Sequence, residues 1–457
     1  MKILRIIIYL SVSCTVMAVD PPACPGSWTM VHIPDTQNYV TTTQQAEILN
    51  RQITWISGQR AARNIRFAVQ VGDLVNDNAS AQWDRVRASF DKLGEVPFAL
   101  CSGNHDCGPG GSGNTRETQF ILQTRFGEGS PYQRQGTFCG WFQHPADPPG
   151  NTQNAWHTFR AGLQDYLVLT CEWGPRNKVV EWMDSIVASH PWHRIILVCH
   201  AYLATGSSRY DWAQSQTSMN PRGTGLASDP DGVNDGQDLW EKLVKKHGNF
   251  CLVCCGHAGR GFRTVTGING NRVHEMLYNT QELANGGDGW LRLLEFYPDG
   301  STVQARSYST HLNAWEESSA GAFTFSLSPV SSVDSDQDGL PDYYEVQHGW
   351  NPDSPSDAGD DADHDGCSNL SEFMACTSPV DPGSALRIRS VTTTAGAGVA
   401  LVWESVPGMK YQVQKSSLPA SADWAAAGSV ITATGFSTAS TVNGTERRQF
   451  FRIAAVR

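Results

Sequence analysis

Apolar positions follow two different periods along the first two thirds of the chain. Residues 28–33, 65–71, 96–100, 194–199 and 250–255 are short apolar runs rich in β-branched side chains and read as strands. Between them, residues 44–60, 80–93, 177–188 and 237–246 place apolar side chains at helical spacing. Strands alternating with helices predict an α/β fold of layered mixed β-sheets flanked by helices. The texture then changes. Residues 329–384 are rich in Asp, Pro, Gly and Ser, and residues 385–457 return to short alternating strands, as in ALRIRSV and VALVWESV. The last stretch predicts a small antiparallel β-sandwich. The expected organisation is a leader over 1–18, an α/β domain over 19–328, an acidic module over 329–384 and the sandwich over 385–457.

Each of the five strands ends in a residue able to bind a metal. The first runs into Asp35 in IPDTQNY, the second into Gly72-Asp73, the third into Gly103-Asn104-His105-Asp106. The fourth ends at His200 and the fifth at Gly256-His257. In open α/β sheets, ligands bind where loops converge beyond the carboxyl ends of the strands. A single Asp or His there is ordinary, as a helix cap or a hydrogen-bonded filler. Five in order, each at a strand end, predict one metal site.

This order resembles the calcineurin-like metallophosphoesterase superfamily, which reads Asp-x-His, Gly-Asp, Gly-Asn-His-Asp/Glu, a lone His and Gly-His-x-His. Gly103 to Asp106 is the most specific match, and IPDTQNY with the later GGDGWLRLLEF resembles an exported bacterial branch with Asp-Thr-Gln in the first motif. The resemblance implies that 19–328 is a metallophosphoesterase domain. It implies a two-metal site in which Asp73 bridges the ions, Asn104, His200 and His257 complete one position, and Asp35 holds the other. Such a pair clamps the attacking and leaving oxygens of an in-line displacement, with a bridging water of lowered pKa as nucleophile. His105 would be the general acid, oriented by Asp77 or Asp106. Two departures fall on one metal position: Gln37 replaces a ligand His, and Gly259 replaces the last His. One tight position and one weaker, oxygen-rich position are therefore expected, taking one or two divalent ions from Mn, Fe, Zn or Mg. Asn76 stands where purple acid phosphatases have Tyr, which argues against a tyrosinate–iron centre. Arg260 and Arg263 follow the last ligand and are expected to grip a phosphoryl oxygen. His32, His274 and His311 lie off the pattern and read as structural, and the 15 tryptophans read as packing.

The acidic module carries one loop design twice. Asp334, Asp336, Asp338, Gly339, Leu340, Asp342 and Glu345 fall at loop positions one, three, five, six, seven, nine and twelve. Asp361, Asp363, Asp365, Gly366, Cys367, Asn369 and Glu372 repeat the spacing. This is EF-hand loop spacing, with the carbonyls of Leu340 and Cys367 at position seven and a closing Glu, and it predicts Ca2+. The region resembles thrombospondin type 3 and dockerin-like repeats, which implies a spacer stiffened by calcium.

The start of the chain changes the picture of location. Lys2 and Arg5 precede a short apolar run over 6–16, and Val16 and Ala18 fit a small-residue cleavage pattern. An exported protein is expected, periplasmic, cell-surface or extracellular, with no transmembrane segment in the mature chain. Cys14 would leave with the leader, so the 12 cysteines become an odd 11. Cys101 with Cys107, and Cys367 with Cys376, are the candidate local disulfides. The net charge of −11 disfavours long nucleic acid as a partner. The expected function is an exported metal-dependent phosphoric ester hydrolase acting on a phosphate mono- or diester. The rival is a binding or adhesion protein on a degenerate scaffold of that kind, attached to a cell surface or matrix through the C-terminal module. A nuclease or phospholipase of the same superfamily is the third reading.

Overall fold

The computed structural model describes residues 23–116, 124–162, 164–191, 193–328, 334–375, 377–394, 398–405, 410–418, 423–433, 437–442 and 449–456. The expected leader over 1–18, with Cys14, and Cys376 lie outside the described residues.

The chain first lays down β1 (Trp28–Ile33), α1 (Thr43–Gly58), β2 (Ile65–Gln70), α2 (Ser80–Phe90) and β3 (Phe98–Leu100). An antiparallel pair, β4 (Phe138–Trp141) and β5 (Ala155–Ala161), leads into β6 (Gln164–Thr170), α3 (Asn177–Ala188), β7 (Arg194–Val198), α4 (Gly236–Lys242) and β8 (Phe250–Cys255). Six strands follow: β9 (Arg260–Thr266), β10 (Arg272–Tyr278), β11 (Trp290–Phe296), β12 (Thr302–Ser309), β13 (Ala314–Trp315) and β14 (Ala322–Ser326). They assemble into two sheets. One runs β13-β12-β11-β1-β2-β3, with β14 on β12; the other runs β4-β5-β6-β7-β8-β10-β9.

The two sheets pack face to face under helices on both outer sides. Alternation along each strand explains the layers. Met30 and Val69 face the second sheet, where they meet Val168, Ile196 and Leu252. Val31 and Ala68 face outward onto Leu49, Ile53 and Val86 of α1 and α2. Ile195 and Leu197 likewise pack on Val179 and Met183 of α3. Both faces of these strands are buried, so they appear in the sequence as unbroken apolar runs. Each fully buried side chain of this kind contributes about 1.5–3 kcal/mol relative to exposure.

The fold class matches the expectation of layered mixed sheets flanked by helices. The division of the five strands between two sheets is added by the structure. β1, β2 and β3 are mutually parallel, as are β6, β7, β8 and β10.

The remaining strands form two antiparallel sheets. One joins β15 (Ile388–Thr394), β16 (Gly398–Glu404) and β20 (Ser437–Val442). The other joins β17 (Lys410–Ser416), β18 (Ala425–Ala426), β19 (Ile431–Thr432) and β21 (Phe450–Val456). Leu401 and Trp403 of β16 and Tyr411 and Val413 of β17 share one core, as a sandwich requires. Between the two regions, α5 (Asp342–His348) and α6 (Asn369–Ala375) pack through Leu340, Tyr344 and Phe373.

The expected Cys101–Cys107 disulfide is not formed. Cys101 packs between the sheets, whereas Cys107 lies in a separate cluster with Trp173 and its Sγ donates to the Gly103 carbonyl. Burial pushes both thiols far above the usual range.

Candidate metal centre

The carboxyl ends of the parallel strands of both sheets meet along one edge, and the loops there hold a buried cluster. Ligand atoms of Asp73, His200 and His257 lie within 4.8 Å of one another. Asp73 follows β2 in a left-handed backbone conformation, φ 50°, and His257 follows β8 at φ 78°. Few residues other than glycine adopt this region, and such conformations concentrate at functional sites. Gly103 and Gly256 make room for the carboxylates: a Cβ at Gly103 would sit 2.2 Å from Asp73 Oδ1, and one at Gly256 2.1 Å from Asp35 Oδ1.

Hydrogen bonds orient each donor. His200 Nδ1 donates to the Val71 carbonyl at 2.8 Å, which leaves Nε2 facing Asn104 Oδ1 and Asp73 Oδ2, each 3.1 Å away. His257 Nε2 donates to the Met219 carbonyl at 2.9 Å, which leaves Nδ1 as the ring's free acceptor. Asp73 Oδ1 accepts the His105 backbone N–H at 2.9 Å. Asp73 Oδ2 is buried without a bond of hydrogen-bonding geometry. Burial alone would lower the His200 pKa, but the Asp73 and Asp35 carboxylates outweigh it and lift it to about 9. Burial would raise the Asp73 pKa, but the His200 charge outweighs it and holds Asp73 at about 2. Burial and the His200 charge push His257 down to about 3, so its ring is neutral and its lone pair available.

A carboxylate, an amide oxygen and two imidazoles converging in a buried cluster, with Asp73 Oδ2 facing only His200 Nε2, fit a divalent cation. The other expected position is built differently. Asp35 Oδ2 accepts the His257 backbone N–H at 3.1 Å and Asn279 Nδ2 at 2.8 Å. Gln37 donates through Nε2 to Gln281 Oε1, while its own Oε1 is buried and unpartnered. Burial and the Asp73 charge raise the Asp35 pKa well above the usual carboxylate range, although the His200 charge opposes them. Side-chain amides from Asn279 and Gln281 thus sit beside Asp35 and Gln37, and Gly259 offers no donor at all.

Asn279, Gln281 and Trp173 stand outside the motifs of the sequence. Asn279 follows β10 as the other donors follow their strands, but Arg272, His274 and Glu275 break the apolar run in RVHEMLY that would have marked it. Trp173 follows β6 and packs its ring 5.2 Å from His257 and 5.7 Å from His200.

The neighbouring residues have other partners than expected. His105 Nδ1 donates to the Asn76 carbonyl at 2.7 Å, so neither Asp77 nor Asp106 orients the ring. Asp106 instead clamps the loop, accepting the backbone N–H groups of Gly103, Val75 and Leu74. Asp77 accepts from Gln82 Nε2 and Asn76 Nδ2, on the outside of the turn. Arg260 and Arg263 are committed to carboxylates: Arg260 to both oxygens of Glu316 at 2.9 Å, Arg263 to Glu275 at 3.0 Å. Both lie on β9, which leads away from His257 along the edge of the second sheet.

Two stacked mixed sheets with a buried Asp–His–His cluster at their shared strand ends define a metal-site α/β sandwich. Residues 29–261 match the model of the calcineurin-like phosphoesterase family, and the chain belongs to that family. A curated relative, Uncharacterized protein YvnB of Bacillus subtilis (strain 168), is 26% identical over 303 residues, 64% of this chain and 20% of that protein. The chain thus spans about a fifth of that relative's length. Among solved structures, purple acid phosphatase PPD1 from yellow lupin (Lupinus luteus) is similar at TM-score 0.40 and 17% identity, over 67% of this chain and 55% of that one. GAP50, the anchor in the inner membrane complex of Plasmodium, is similar at TM-score 0.39 and 11% identity, over 68% of this chain and 92% of that one. No helix among the described residues is long and apolar enough to cross a membrane.

Proposed function

We propose that this chain is an exported metal-dependent phosphoesterase that hydrolyses a phosphate mono- or diester with His105 as general acid. The observation that carries the reading is the position of His105 beside the donor cluster. Its backbone N–H is bonded to Asp73 and its Nδ1–H to Asn76, and its Nε2 has no partner among the described residues. That nitrogen is the one able to hand a proton to a departing alkoxide, a role worth about 10²–10⁴-fold. Asp73, Asn104, His200 and His257 would hold one ion, and Asp35 with Gln37 Oε1 would hold a second, weaker one. When bound, such ions supply Lewis-acid stabilisation of phosphoryl charge and a water of lowered pKa.

The chain's own residues set the rest. Val71 and Met219 fix the two imidazoles, Asp106 fixes the loop that carries Asn104 and His105, and Trp173 walls the cluster with apolar surface. The net charge of −11 favours a small ester over a long nucleic-acid backbone. Export rests on the pattern over 2–18, and surface attachment through the C-terminal sandwich is part of the same proposal. The test is turnover of aryl phosphate mono- and diesters by full-length protein loaded with Mn2+, Zn2+, Fe2+ or Mg2+. Turnover lost in Asp73→Asn and Asn104→Ala supports the reading; an inert wild type over the whole panel overturns it.

A binding protein on the same scaffold is the second reading, and the amides of Asn279 and Gln281 at the weaker position favour it. It is distinguished by a full complement of site metal with no turnover.

A further inference from the structure

The acidic module contains a cluster of carboxylate oxygens that its loop spacing does not explain. Asp336, Asp338 and Glu345 place carboxylate oxygens within 4.8 Å of one another, together with Asp357, which belongs to neither loop. Glu345 is fully buried, and both of its oxygens lack a hydrogen-bond partner. Asp357 is 9% exposed, and its Oδ1 is likewise unpartnered, as are Asp336 Oδ2 and Asp338 Oδ2. Buried carboxylate oxygens that converge and bond to nothing are far too costly to stand without a cation.

The residues expected at position nine do something else. Asp342 accepts the backbone N–H and the hydroxyl of Ser335, and Asn369 accepts the Ala362 backbone N–H. Both side chains brace their own loops. An Asp357 oxygen joins those of the first loop from outside it. Its backbone is held by the second loop, because Asn369 Nδ2 donates to the Asp357 carbonyl at 2.7 Å. The second loop is the poorer cage. Asp365 Oδ2 faces Arg387 at 3.3 Å, and its unpartnered buried oxygens are Asp363 Oδ2 and Glu372 Oε2.

We propose that Asp357 is a calcium ligand that completes the first loop from outside it and, through Asn369, couples filling of the first loop to ordering of the second. Hard oxygen donors alone, with the Leu340 carbonyl at position seven, match Ca2+, which takes 6–8 oxygens. The first loop fills first, and the second follows because its Asn369 is already anchored. This assignment is independent of the phosphoesterase reading.

The test is hydrogen exchange of the full chain, stripped with chelator and titrated with Ca2+, read separately over 334–345 and 361–372. These segments report the module and not the catalytic cluster. In the wild type both should gain protection, the first at lower Ca2+. Asp357→Asn should raise the first midpoint at least tenfold and the second at least threefold. Asp360→Asn, an exposed neighbour, should move neither by more than twofold and controls for bulk charge. Asn369→Ala should raise the second midpoint while the first segment still becomes protected, which distinguishes coupling from collapse of the module. Equal midpoints for Asp357→Asn and Asp360→Asn, or no Ca2+-dependent protection in the wild type up to about 10 mM, an order above extracellular-module affinities, would overturn the proposal.

Discussion

His200 donates its Nδ1 proton to the carbonyl of Val71, the last residue before Gly72-Asp73, so the strand that delivers the Asp also sets the tautomer of the His. Such an outer bond orients a metal-binding imidazole and raises its basicity. His200→Ala should therefore strip the bound metal from the cluster. Elemental analysis after dialysis should show at least one ion fewer per chain than the wild type, with the fold unchanged by circular dichroism. Full retention of metal would place the ion elsewhere.

His105→Ala tests the proton donor separately from the metal. Its metal content should equal that of the wild type. Turnover of an alkyl phosphate should fall by about 10²–10⁴-fold, while a nitrophenyl ester, whose leaving group needs no proton, should lose far less. Equal losses on both substrates would assign His105 to substrate binding instead.

Gln37→His probes the weaker position. Restoring an imidazole beside Asp35 should raise the affinity of a second Mn2+ at least tenfold in a calorimetric titration, with the first unaffected. The matching change at Gly259 is less informative. That residue has φ +75°, and a Cβ there would approach Thr205 Oγ1 to 3.2 Å, so any side chain is strained.

Acid stability should depend on Glu172, one residue before Trp173. Burial would raise its pKa, but Arg116 and Arg176 outweigh burial and hold it at about 2, against 4.5 for the free side chain. A carboxyl depressed on folding adds stability above pH 4.5, and that contribution is lost as pH falls through 2. Glu172→Gln should cost about 3 kcal/mol at neutral pH, because it leaves a buried guanidinium short of a partner; Asp147 still pairs Arg176, which keeps the loss at the low end. Denaturant titrations should also show a shallower loss of stability between pH 4.5 and 2 than in the wild type.

The strands and helices of the α/β region were legible because both faces of the strands are buried and the helices are amphipathic; both patterns are local. The residues at five strand ends were legible for the same reason. The split into two sheets was not, since it depends on which distant strands exchange hydrogen bonds: β1 pairs with β11, more than two hundred residues away in the chain. Asn279 and Gln281 were hidden because the strand before them, with His274 and Glu275 buried inside it, does not read as apolar. The pairing of Arg260 with Glu316 was invisible because only the fold brings them together. Asp357 lay outside every loop position that spacing defines.

Gly103 and Gly256 carry no side chain to offer the centre, yet the space where each Cβ would stand is taken by the oxygen of an acid from another part of the chain. An alanine at either would displace the Asp73 or Asp35 carboxylate and so detune the cluster while every donor stayed in place. Two hydrogens, one at each of these positions, therefore act as spacers for the whole centre. A survey of variants that scored donors alone would pass over the substitutions most able to silence it.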